Sequence, residues 1–168
     1  MNLKETKTGK LNTSLQSYVQ KVTSEFDQIP EERKRALTKL ALYVSTEQKS
    51  GETAKLTFIC THNSRRSHMS QLWTQAAAYF YGVESVKTFS GGTEATAFNP
   101  RAVKAMKKAG FEISTAEEGN NPVYAIAFSH DAPTVEAFSK KYDDKVNPQK
   151  DFAAIMTCSE ADKNCPFI

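Results

Sequence analysis

The sequence predicts an α/β fold, a three-layer sandwich around a central, mostly parallel sheet, preceded by a helical hairpin. From Lys55 onward, short apolar segments alternate with amphipathic helical segments. Residues 1–54, by contrast, show helical periodicity without strands. Alternation of strand and helix is typical of a parallel sheet with helices on both faces. The length of 168 residues is sufficient for about one domain of this kind.

Two helices are predicted before the sheet. The first covers residues 13–27, where apolar side chains recur at helical spacing. The second begins at Pro30, a favoured first position, and ends near Gly51. We expect an N-terminal extension over residues 1–54. It serves either as an arm for partner binding or homo-oligomerisation, or as a pair of helices packed on the domain.

The main domain is expected over residues 55–168. Its predicted elements are a strand at residues 56–61, a helix ending at Gly82, a strand at 85–89, a helix at 99–110 and a strand at 152–157. Residues 120–148 interrupt this order. The segments "VYAIAF" and "TVEAFSKKYD" are strand-like and are separated by "SHDAP", which predicts an inserted antiparallel β-hairpin. The alternative is that the second segment is helical.

Composition narrows the function classes. A net charge of +3, with 22 basic and 19 acidic residues interspersed, does not indicate nucleic-acid binding. No apolar run approaches the roughly 20 residues that span a bilayer, and "MNLKETKTGKLN" lacks the apolar core of a signal peptide. We therefore expect a cytoplasmic protein with no membrane partner. Three cysteines suit a reducing compartment better than a disulfide framework.

The segment "LTFICTHNSRRSHMSQ", residues 56–71, carries the strongest functional signal. Cys60 ends the first strand, and a short loop leads to a helix that begins at about Ser67. Backbone N–H groups in such a loop bind oxyanions with the help of the helix dipole, and the guanidinium of Arg66 matches two oxygens of a tetrahedral anion. The same positive field lowers the pKa of a thiol, which makes Cys60 a candidate nucleophile. The alternative is a structural cysteine beside solvated arginines.

Candidate substrate-binding residues fill the rest of this loop: Thr61, His62, Asn63, Ser64, Arg65 and Ser67. His62 either tunes the thiol or lies on the loop surface. Ser67 either donates its hydroxyl to the Cys60 sulfur or simply caps the helix.

The residues "CTHNSRRS" resemble the phosphate-binding loop of the low-molecular-weight protein tyrosine phosphatases and of the thioredoxin-coupled arsenate reductases that share their fold. "SGGTEATAFNPRAVKAMKKAGFEIS", residues 90–114, resembles the segment that follows in the reductase branch. The resemblance covers residues 55–168 apart from the insertion. It implies that Arg66 binds the oxyanion and that Asn63 and Ser67 hold the loop and the thiolate.

Two later thiols distinguish the two branches. In "TCSEADKNCP", Cys158 and Cys165 are seven positions apart, about two turns along one helical face, so a disulfide between them requires the helix to unwind. The resemblance to the reductases implies that Cys60 attacks arsenate, Cys158 attacks Cys60 and releases arsenite, and Cys165 moves the disulfide outward for thioredoxin. The alternatives are incidental or core cysteines, or a metal site, for which two cysteines supply only half of a zinc ligand set.

The leading hypothesis is an arsenate reductase that uses thiols alone, without a cofactor or metal. One alternative is a phosphatase acting on phosphate monoesters through a cysteinyl-phosphate, and another is a regulatory protein that binds phosphate or arsenate. The chain departs from the resemblance at Gln71, where potassium-assisted members have a carboxylate. Both branches also supply an aspartate general acid from an Asp-Pro loop that would lie beyond Ile168, so we expect the domain to be C-terminally incomplete.

Overall fold

A computed structural model describes residues 9–116 and 118–164. Cys165, predicted as the third redox thiol, lies outside the described residues. The helices are α1 (Thr13–Thr23), α2 (Glu31–Lys49), α3 (Arg66–Phe80), α4 (Pro100–Ala109) and α5 (Ser159–Asn164). The strands are β1 (Ala54–Cys60), β2 (Val86–Gly92), β3 (Glu112–Ser114), β4 (Tyr124–Ala127), β5 (Val135–Ala137) and β6 (Ala153–Met156).

A parallel sheet in the order β2-β1-β6 lies at the centre and is flanked by helices, which confirms the predicted fold class. Its central strand, β1, is buried at six of seven positions, as expected for a strand covered on both faces. Cys60 is in register with Gly92, so the carboxyl ends of β1 and β2 meet at one edge. Ligands of open α/β sheets bind at such an edge.

The two N-terminal helices pack on different parts of the domain. Leu15 of α1 is fully buried in the core formed with α3 and α4, and Tyr18 stacks on Trp73 of α3. The helix ends earlier than predicted, at Thr23, and a short 3-10 turn follows. In contrast, α2 covers β1 with one partly buried face. Across residues 9–116 and 118–164, no helix combines the length and the apolar character that crossing a membrane requires.

The interrupting segment forms the predicted antiparallel hairpin, in which β4 pairs with β5. The helical alternative for the second segment is wrong at Val135–Ala137, which is a strand. On its other side β4 pairs with β3, a strand that was not predicted, to complete a second sheet. The chain then returns to the parallel sheet. There Gly92 donates its N–H to the carbonyl of Lys140 and accepts from the N–H of Tyr142, both at 2.9 Å.

Candidate active site

The loop between β1 and α3 turns its carbonyl groups outward. The N–H groups of Thr93, Glu94 and Asn99 donate to the carbonyls of Cys60, Thr61 and Ser64 over 3.2, 2.8 and 2.9 Å. The hydroxyls of Thr96 and Ser139 donate to the carbonyl of His62 over 3.2 and 3.0 Å. Since the carbonyls are held from outside, the N–H groups of the loop are left to face the sulfur and any bound anion.

Cys60 is 3% exposed at the centre of this loop. Burial raises the pKa of its thiol, but hydrogen bonds outweigh burial and hold the pKa below its ordinary value. The hydroxyl and the N–H of Ser67 lower it, and the N–H groups of Ser64 and Asn63 do so as well. Donors that point at a sulfur favour its anionic form. The donors of the loop therefore favour a thiolate at Cys60, while its role as nucleophile stays a prediction.

Asn63 connects the loop to the sulfur through its side chain. Its backbone has a φ of 42°, a left-handed conformation that asparagine tolerates better than most residues. The Nδ2 group of its buried amide donates to Ser67 Oγ at 2.8 Å, and Ser67 Oγ lies 3.1 Å from Cys60 Sγ. Ser67 Oγ thus lies within hydrogen-bonding distance of the sulfur, as the predicted hydroxyl donation requires.

The charged groups of the loop are exposed. Arg66 begins α3 one residue earlier than predicted, and Arg65 stands at its N-cap position. His62 lies on the loop surface, where its Nε2 is 3.5 Å from a carboxylate oxygen of Glu94. The position of His62 matches the alternative in which it lies on the loop surface. Arg65 and Arg66 are themselves exposed and therefore accessible to an anion in solution.

Cys158 lies beside the loop, between β6 and α5. Its Sγ is 3.6 Å from the hydroxyl of Thr61, and the side chain is half-buried. Burial raises the pKa of this thiol, yet the N–H of Ala161, the hydroxyl and N–H of Thr61 and the charge of Arg66 bring it below the ordinary value. The structure thus places two thiols of lowered pKa, 98 positions apart in the chain, against the same loop.

Residues 55–162 match the family described as low molecular weight phosphotyrosine protein phosphatase. This chain belongs to that family. The match includes the oxyanion loop and Cys158, and it leaves out the two N-terminal helices.

Curated relatives of this phosphatase-family chain carry the name arsenate reductase. The chain is 32% identical over 111 residues to "Arsenate reductase 2" of Staphylococcus epidermidis, and equally to that of Staphylococcus haemolyticus. In both cases the match covers 66% of this chain and 65% of the relative, so the chain spans just under two thirds of their length. It is 46% identical to the arsenate reductase of Bacillus subtilis over 57 residues, 34% of this chain and 38% of the relative.

The groups that hold the loop from behind were not predicted from the sequence. Ser139 accepts from the N–H of Thr96 at 2.8 Å while it donates to the loop, and Lys140 donates its N–H to Asn63 Oδ1 at 2.9 Å. His68, fully buried in α3, was missed as well. Only the position of His68, next to the predicted loop, offered a sequence signal; the other contacts join distant segments.

Gly92 approaches the loop backbone so closely that a side chain does not fit. A Cβ there would lie 2.6 Å from Asn63 N and 2.8 Å from Thr61 O, and would also meet the carbonyl of Glu94. We expect Gly92→Ala to displace the loop, to destabilise the fold by about 1–3 kcal/mol and to weaken phosphate binding. Thermal unfolding and calorimetric titration with inorganic phosphate measure these effects.

Gly51 provides the matched control for this substitution. It has a φ of 76°, and the space that a Cβ would occupy is open, so Gly51→Ala carries only a backbone cost. This variant should lose some stability and keep its phosphate affinity. Equal phosphate affinity in Gly92→Ala and the wild type would contradict the steric argument.

Proposed function

We propose that this chain is an arsenate reductase that converts arsenate to arsenite with Cys60 as nucleophile and Cys158 as second thiol. The observation that carries the proposal is the contact between Thr61 and Cys158, 3.6 Å from hydroxyl oxygen to sulfur, because it puts a second thiol beside the loop that follows Cys60. The names of the staphylococcal and Bacillus relatives support the same reaction. Phosphoester hydrolysis, the alternative, has no use for that second thiol.

The first step is attack by the Cys60 thiolate on arsenic. A sulfur–arsenic bond forms, and one arsenate oxygen leaves as water after protonation. The N–H groups of the loop and the guanidinium of Arg66 would bind the remaining oxygens. Thr61, His62, Ser64 and Arg65 belong to the same proposed binding loop.

The second step transfers the electrons. The Cys158 thiolate attacks Cys60 Sγ, a disulfide forms, and the electron pair of the sulfur–arsenic bond stays on arsenic, which leaves as arsenite. Both thiols are oxidised and arsenic is reduced from the pentavalent to the trivalent state. Attack by Cys165 on Cys158 would free Cys60 and leave a Cys158–Cys165 disulfide for a dithiol reductant.

The remaining parts of the proposal follow from this cascade. Thioredoxin is the proposed reductant, and the cytoplasm, where thiols stay reduced, is the proposed compartment. No organic cofactor takes part in the thiol cascade. We also propose that residues 55–168 carry the site and that residues 1–54 are an extension available for homo-oligomer contacts.

The test is arsenite formation from arsenate with thioredoxin, thioredoxin reductase and NADPH, without oxygen. We expect Cys158→Ser to form no arsenite. Cys165→Ser, the matched control, should release about one arsenite per chain and then stop, because its first disulfide cannot be passed on. Arsenite formation by Cys158→Ser at the wild-type rate would contradict the proposal.

Two parallel measurements decide between the alternatives. Hydrolysis of an aryl phosphate by both the wild type and Cys158→Ser, without arsenite formation, would assign a phosphatase. Phosphate binding with neither reaction would assign an oxyanion-binding protein.

A further inference from the structure

Lys140 is a buried cation beside the oxyanion loop. It is 5% exposed, although lysine is rarely buried to this extent without a partner. Its Nζ donates to the carbonyl of Phe138 at 3.3 Å and lies 4.5 Å from the centre of the Phe138 ring. These contacts fold the side chain back on its own segment, so that it fixes the conformation of residues 138–140.

The backbone of Lys140 forms hydrogen bonds both to the oxyanion loop and to strand β2 of the parallel sheet. Its N–H donates to Asn63 Oδ1 at 2.9 Å, and its carbonyl accepts from the N–H of Gly92 at 2.9 Å. Ser139, one residue earlier, is held by the side chain of Asn121. The N–H of Ser139 donates to Asn121 Oδ1 at 2.9 Å, and Asn121 Nδ2 donates to the carbonyl of Ser139 at 2.8 Å. The inserted segment therefore holds a defined position behind the loop.

The contact with Lys140 gives the hydrogen-bond chain to the sulfur a direction. Because Asn63 Oδ1 accepts from the N–H of Lys140, the Nδ2 group of the same amide must face Ser67 Oγ. Ser67 Oγ accepts that bond and has one proton of its own, which is then free to be donated to Cys60 Sγ. With the amide reversed, Ser67 would donate to Asn63 and the sulfur would lose this donor.

We propose that Lys140 is a positioning residue for the Cys60 nucleophile: its buried ammonium fixes the backbone that orients Asn63, and hence directs the Ser67 hydroxyl to the sulfur. This inference rests on the proposed role of Cys60. It makes the inserted segment, which the oxyanion-loop motif does not include, a working part of the site.

The charged surroundings of Lys140 are consistent with this role. Burial lowers the pKa of its ammonium to about 8, while Asp144 acts in the opposite direction, so the side chain is mostly protonated at pH 7. Its charge reaches α3, where it helps to lower the pKa of His68 and keep that ring neutral. The Lys140 charge thus acts on His68, whereas the pKa of Cys60 is lowered by the hydrogen bonds of the loop, so Lys140 influences the sulfur through the position of Asn63.

The test measures the thiolate of Cys60 directly. The reduced full-length chain is treated with iodoacetamide between pH 5 and 9, and alkylation of Cys60 is followed by peptide mass spectrometry. In Lys140→Met, which keeps an apolar stem of similar size, we expect a higher apparent pKa and alkylation at pH 7 slowed by at least about threefold. Lys141→Met is the matched control, since the neighbouring side chain is exposed, and should keep the wild-type profile.

A wild-type profile for Lys140→Met would overturn the inference. If this variant shows no cooperative unfolding, Phe138→Leu replaces it: removal of the ring that lies 4.5 Å from the Lys140 ammonium loosens the same segment and should raise the Cys60 pKa in the same direction. An unchanged Cys60 pKa in folded Phe138→Leu would likewise count against the inference. Alkylation needs no arsenate, so a wild type that forms no arsenite would overturn the proposed function without affecting this readout.

Discussion

Cys60→Ser is expected to lower turnover of arsenate, or of an aryl phosphate, by at least about 10⁴-fold. A serine hydroxyl stays protonated under conditions in which the loop holds the Cys60 thiol below its ordinary pKa. The donors around the sulfur stabilise an anion, and a neutral hydroxyl gains little from them. Oxygen also cannot accept the second thiol, so the redox step is lost together with the first attack.

Binding of the oxyanion should survive the same substitution. The N–H groups of the loop are oriented by contacts with residues 93–99 and 139, and none of these contacts uses the sulfur. Removing a thiolate also removes a charge that repels a dianion. We therefore expect inorganic phosphate to bind Cys60→Ser at least as tightly as the wild type, measured by isothermal titration calorimetry.

Cys158→Ser is the matched control for this experiment. It should bind phosphate normally and keep rapid alkylation of Cys60, because Cys158 contacts Thr61 and is not among the donors to the Cys60 sulfur. Residual turnover by Cys60→Ser near the wild-type rate would show that another group attacks the substrate. Loss of phosphate binding in Cys60→Ser would show that the sulfur itself shapes the loop.

The oxyanion loop was predictable because its parts are contiguous. A strand, a loop of five residues and a helix bring Cys60, Asn63 and Ser67 close together along the chain, and the three side chains are linked by hydrogen-bond distances in the structure; the role of Asn63 was expected only from the resemblance. The contacts of Ser139 and Lys140 join positions 77 residues apart. They depend on how the second sheet returns to the edge of the first, which no periodicity in the sequence encodes.

The N-terminal helices show the same division between local and long-range information. Apolar spacing predicted both helices, and both are present. Their packing partners could not be predicted, because an apolar stripe shows that a helix face is buried but not which surface it packs against. Leu15 enters the main core beside Gly110, whereas α2 packs on β1. Strand β3 was missed since its three residues are too short for a period to be recognised.

His68 is expected to make the protein sensitive to acid. The ring is fully buried, stacks on Phe98 with centroids 4.2 Å apart, and places Nδ1 3.2 Å from Ser90 Oγ. Burial, followed by the charge of Lys140, lowers the pKa of His68 to about 3 from an ordinary 6.5. Between pH 6.5 and about 3, His68 therefore binds a proton in the unfolded chain and stays neutral in the folded chain.

The sign of the effect follows from this difference in bound protons. As the pH falls below 6.5, the proton taken up by unfolded His68 favours unfolding, so its contribution to stability falls by up to about 1.4 kcal/mol per pH unit until about pH 3. His68→Phe should flatten this part of the curve. It keeps the stacked ring, and the Nε2 that it replaces has no hydrogen bond within the described residues.

The measurement is the free energy of unfolding by urea at several pH values between 3.5 and 7, chosen to span much of that window. The readout is the slope against pH, because the loss of the bond to Ser90 shifts stability at every pH and leaves the slope unaffected. His130→Phe is the matched control: its side chain is 77% exposed, so its removal should leave the slope close to that of the wild type. Equal slopes for His68→Phe and the wild type would mean that His68 accepts a proton in the folded state, and the buried ring would then need a charged partner.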